Sequence, residues 1–230
     1  MNVNDTDPLF LSRRQLLAAG VALGLGTVAE GTGMAWAAEG GVPEQGFRDL
    51  QGAVRVNGQP ARVGQILQSG DMVETGDDGT ATLVSGSDAL LLRHKTMIVA
   101  TVRTGGVADR AVEGLKLLQG GVLAVFGLHP AKIETSVAVM GIRGTGLYIE
   151  ADPQGQTTYC CACYGAVDVT PEGSKTTKAL AATHHQACKV QYAPTGARVS
   201  DETLLNHTDE ELTRLESLVF RKPPFAPAKG

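Results

Sequence analysis

From Gly52 to about residue 195, short apolar runs recur roughly every eight to twelve residues, parted by Gly, Asp and Asn. No window in that span sustains a 3.6-residue period, so long amphipathic helices are excluded from it. Ala53-Val54-Arg55-Val56 leads into Asn57-Gly58, a pair that tolerates the positive φ angles of a tight hairpin. Met72 to Thr75, Thr80 to Val84, Ala89 to Arg93, Lys95 to Thr101, Leu115 to Leu118 and Val122 to Phe126 continue the pattern. Lys132 to Met140, Gly146 to Ala151, Thr157 to Tyr164, Ala166 to Thr170 and Lys189 to Tyr192 complete it. With 29 glycines and 4% aromatics, the chain is supplied for tight turns between short strands. The fold class expected is all-β, a stack of short antiparallel hairpins arranged as a barrel or like a sandwich.

The two ends read differently. Ser12-Arg13-Arg14-Gln15-Leu16-Leu17 precedes an apolar stretch to Ala29 and an Ala35-Trp36-Ala37 site. This reads as a twin-arginine signal peptide over residues 1–37, with cleavage expected before Ala38. The stretch falls short of the roughly 20 residues a membrane span needs. The expectation is therefore a periplasmic protein with no stable span after cleavage. Residues 38–50 read as a flexible lead and 51–195 as the β domain. Residues 196–230 form a tail with a helix at about 209–220. Thr208 and Glu211 have capping-box spacing, and Leu212, Leu215, Leu218 and Val219 share a helical face before Pro223-Pro224.

Four segments in order resemble the FecR family of bacterial envelope proteins. They are Leu67 to Gly76 with its Gly70-Asp71 and Thr75-Gly76 pairs, Asp78 to Leu83, Leu115 to Val125, and Val139-Met140-Gly141-Ile142-Arg143-Gly144-Thr145-Gly146-Leu147-Tyr148. The resemblance covers about residues 50–170. It implies a β envelope module that senses or relays a signal, with a link to the regulation of iron uptake. Known members begin with a cytoplasmic segment that controls a sigma factor, followed by a membrane span. Here eleven residues precede Ser12.

A net charge of −4 disfavours nucleic acid as a partner, because that partner selects a concentrated basic surface. The partner expected is another envelope protein or a small ligand. The sequence carries no nucleophile elbow, phosphate-binding loop, metalloprotease helix or dinucleotide fingerprint, and the protein reads as non-enzymatic. Asp71, Glu74, Asp77 and Asp78 read as turn residues, Arg143 as half of a buried ion pair, and His94, His129 and His207 as isolated surface or turn histidines.

The one constellation with a chemistry of its own is Cys160-Cys161-Ala162-Cys163 together with His184-His185-Gln186-Ala187-Cys188. Thiolate and imidazole are the donors that Zn²⁺ and other thiophilic ions select. If both segments are paired strands, the register decides which sulfurs meet. With Cys163 opposite His184, the residues Cys161, Cys163, His184 and Cys188 share a face and make a three-Cys, one-His metal site. A slip of one residue sets Cys160 opposite Cys188, poised for a cross-strand disulfide, and Cys163 opposite His185. Cys160 and His185 are thus the alternates. Twin-arginine substrates fold before export, so such a site could fill while its thiols are still reduced.

Overall fold

The computed structural model describes residues 42–106 and 109–226. The signal peptide expected over 1–37 lies outside them. Asn57 and Gly58, at φ 52° and 77°, make the expected tight turn between β2 (Val54–Val56) and β3 (Gln59–Pro60). Short strands β4 (Met72–Thr75), β5 (Thr80–Ser85), β6 (Asp88–Leu92) and β7 (Met97–Arg103) follow. Three long ones, β8 (Ala111–Val125), β10 (Ala138–Asp152) and β11 (Thr157–Pro171), form the centre, with β9 (Pro130–Glu134) between the first two. β12 (Lys178–Ala182), β13 (Gln186–Ala193) and β14 (Gly196–Glu202) close the strand series.

All strands belong to one sheet whose main path runs β14-β13-β11-β10-β9-β8-β7-β4-β2-β3. It ends at β3 and β14 without closing, so the barrel alternative is corrected to an open, folded sheet. Two stretches expected to lie outside the β domain are part of it. Gly46–Gln51 of the supposed lead is β1, paired to β5 and anchored by the fully buried Phe47. The first residues of the supposed tail are β14. Both carry few apolar residues, because an outer strand needs little burial to be held by its ladder.

The resemblance-bearing segment Arg143-Gly144-Thr145-Gly146 marks an irregularity of register in β10. Before it, Val139–Arg143 pairs with β9; after it, Gly146–Ala151 pairs with β8. Gly144 has φ +59°, a left-handed angle that L side chains rarely adopt. Arg143 is exposed and enters no ion pair among the described residues, contrary to expectation. Asp71 accepts the Gln68 N–H and the Asn57 side-chain amide, which confirms its place in a turn.

The long strands bury both faces. Leu147, Ile149, Cys160 and Ala162 point into the main core, and Tyr148, Tyr159, Cys161, Cys163 and Tyr164 into a second one. The second core is covered by α1 (Asp209–Leu218), through Leu212, Leu215 and Val219. The Thr208 hydroxyl accepts the Glu211 N–H and the Glu211 carboxylate accepts the Thr208 N–H, the capping box read from the sequence. Arg93 clasps the same Glu211 from the end of β6, with Nη2 at 2.7 Å from Oε2. Among the described residues no helix is long and apolar enough to cross a membrane.

Candidate metal centre

Pairing of β11 with β13 sets Cys160 opposite Cys188 and Cys161 opposite Ala187, and the His185 N–H donates to the Cys163 carbonyl at 3.0 Å. This is the second of the two registers. Alternation then sorts the thiols by face. Cys160 and Cys188 are fully buried in the main core, both as free thiols. Burial pushes both upward, Cys188 to about 11, which keeps them protonated. Cys188 is therefore not a partner of Cys161 and Cys163, and the three-Cys, one-His set is not assembled.

A different set is. Cys161 and Cys163, also fully buried, project into the second core, where His185 and His207 meet them. The four donor atoms lie within 4.8 Å of one another. His185 Nδ1 is 3.6 Å from Cys161 Sγ, and His207 Nε2 is 3.3 Å from Cys163 Sγ. In a tetrahedral zinc site with Zn–S about 2.3 Å and Zn–N about 2.05 Å, an S···N edge measures about 3.5 Å. The donors thus stand near the spacing an ion would impose.

The surroundings fix both imidazoles. His185 Nε2 is 2.8 Å from Asp209 Oδ1, and His207 Nδ1 is 2.7 Å from the Leu205 carbonyl. Each ring gives its outer N–H to an acceptor and turns the other nitrogen toward a thiol, the arrangement that orients ligating histidines. The His207 ring stacks on Tyr148 at 4.8 Å between centroids. His185 sits on left-handed backbone at φ 50°, and so does Asn206, the residue before His207, at φ 59°. Such angles cost roughly 1–3 kcal/mol and persist where the surroundings enforce them.

The thiols are unequal. The Cys163 thiol beside Cys161, aided by His207 and His185 against the opposing effect of burial, pulls Cys161 down to about 4. Burial pushes Cys163 well up. The pair therefore combines a thiol that ionises readily with one that holds its proton.

His184, expected among the inner ligands, faces outward with Nε2 at 2.9 Å from Asp209 Oδ2. His184, His185 and Asp209 form a second candidate group that shares His185 with the first. In sequence His207 stands alone, since 44 residues separate it from Cys163. The signal that could have found it is its place just before the N-cap Thr208. A residue there is held at the helix start, where side chains commonly pack back onto the structure.

No protein-family model and no curated protein matches the chain. Two crystal structures of a putative anti-sigma factor from Parabacteroides distasonis ATCC 8503 are similar in part. One, at 12% identity and a TM-score of 0.46, and the other, at 11% and 0.45, each overlap 57% of this chain. The similarity spans 59% of the length of those chains, less than two thirds.

Proposed function

We propose that the protein is a non-enzymatic, FecR-like envelope module that holds a resident thiophilic metal ion, Zn²⁺ by donor chemistry, at Cys161, Cys163, His185 and His207. The observation that carries this is the convergence of two thiols and two oriented imidazoles, contributed by three separate parts of the chain, on one buried point. Four protein donors complete a tetrahedral sphere and leave no open position for substrate, which favours a structural or regulatory ion over a catalytic one. In this reading the β domain supplies the frame, and the module senses or relays an envelope signal by binding another protein or a small ligand. The FecR resemblance of residues 50–170 supports that role and the periplasmic setting.

Elemental analysis of protein purified from its native compartment should give close to one zinc per chain. Cys163→Ser and His207→Ala should each lose most of it, while Cys188→Ser keeps it. Full retention of metal in Cys163→Ser, or metal-free native protein, defeats the reading. For the setting, changing Arg13 and Arg14 together to Lys should block export and leave the precursor inside the cell. Unimpaired export of that variant removes the twin-arginine route.

A further inference from the structure

We infer that His184, His185 and Asp209 form an outer metal-binding group through which a divalent cation is handed to the buried centre. This rests on reading the inner four donors as a metal site. Cys161 and Cys163 are fully buried and His207 is only 5% exposed. A hydrated cation cannot shed its whole shell in apolar surroundings at an acceptable cost, so its waters must be replaced one donor at a time. The exchange has to begin at donors that touch both solvent and the centre.

The outer group has that position. Its side chains are 48% (His184), 12% (His185) and 40% (Asp209) exposed. Its three donor atoms lie within 4.8 Å of one another. His184 Nε2 and His185 Nε2 both point at the one carboxylate, at 2.9 and 2.8 Å. Phe225 packs against the His184 ring at 4.4 Å and limits its freedom. Two imidazoles and a carboxylate suit borderline divalent ions and, lacking sulfur, hold them more weakly than the inner set.

His185 belongs to both groups, with Nε2 turned to Asp209 and Nδ1 to Cys161. A neutral imidazole has one lone pair. With its proton on Nδ1 the ring can hold an ion outside; with its proton on Nε2 it can hold one inside. Transfer breaks the bond at Nε2 and forms one at Nδ1. As the ion binds inside, Nδ1 and the Cys163 thiol each give up a proton; Nε2 takes one up and donates it to Asp209, and the other leaves to solvent. No electron moves. The two groups therefore fill in turn, one ion per chain. The outer donors set the rate of exchange and the cysteines set the affinity.

The test uses the full chain, stripped of metal and mixed with Co²⁺, whose bond to thiolate gives an absorption band that reports the inner site alone. His184→Gln removes an outer donor and no inner one. It should slow both the appearance of the band and the return of cobalt to a chelator, and by the same factor. Its final band and its affinity should match the wild type, because a change confined to the route alters both directions equally. Asp209→Asn, whose amide oxygen still accepts from His185, should also load slowly. Loading at wild-type rate in His184→Gln overturns the relay, as does an altered affinity with an unchanged loading rate. Absence of the band in the wild type overturns the metal centre itself, so the two failures are told apart.

Discussion

Gly144 carries no functional group, yet its left-handed backbone angle favours glycine. A β-carbon there would stand 2.7 Å from Leu128 Cδ2, on backbone already at φ +59°. Gly144→Val should lower stability by about 1–3 kcal/mol, read as a fall in melting temperature; an unchanged value would show that the register break needs no glycine. His129 presents a second test at this scale. Asp88 is fully buried, accepts the Val112 and Gly127 N–H groups at 2.7 and 2.8 Å, and meets His129 Nε2 at 2.8 Å. That contact raises the His129 pKa above its ordinary value, against the lowering effects of burial and of Arg103. A raised folded-state value stabilises the fold at pH below about 6.5, and the contribution is lost as pH rises through the shifted value. Chemical unfolding at pH 6 and at pH 8 should therefore show a larger loss for the wild type than for His129→Gln. Equal losses would remove the Asp88 contact from the stability of the fold. Of the centre itself, Cys161 and Cys163 were legible because two positions on one strand share a face. His184 and Cys188 were misassigned because a single residue of register moves every side chain to the opposite face.

At the level of elements, the helix was the easiest to read and the register the hardest. The capping box and the apolar stripe of α1 are local signals, decided within a few residues of one another. β1 and β14 were hidden because an outer strand shows little alternation. The tail brings His207 to the centre, so an ion there would fasten the segment from Thr203 to Ala226 onto the sheet. The segment has other anchors, among them the Arg93–Glu211 pair and the buried Glu216, which receives the Tyr164 hydroxyl and the Arg221 Nε–H. A ten-residue helix is nonetheless marginal on its own. Removing metal with a chelator should speed amide hydrogen exchange in α1 and the strand-to-helix segment before it, and leave the middle of β10 slow. Uniform exchange in both states would mean that docking of the helix owes nothing to the ion.

For the molecule as a whole, the spacing of apolar runs and turns made the all-β class legible but not how the sheet ends. Closure depends on pairing between strands remote in sequence, which no local pattern reports. The same holds for the second core. Tyr148, Tyr159 and Cys163 alternate with main-core residues along β10 and β11, and only the arrival of α1 makes their face an interior.

The main path of the open sheet has two ends, and each is a row of backbone donors and acceptors on which another chain could add. This one is ill suited to such growth at both. β3 is two residues long and includes Pro60, which has no N–H to offer. β14 finishes in Asp201-Glu202, and Asp201 is held by Lys178 at 2.6 Å. Charge at one border and a proline stub at the other discourage edge-to-edge polymerisation along the main path of the sheet.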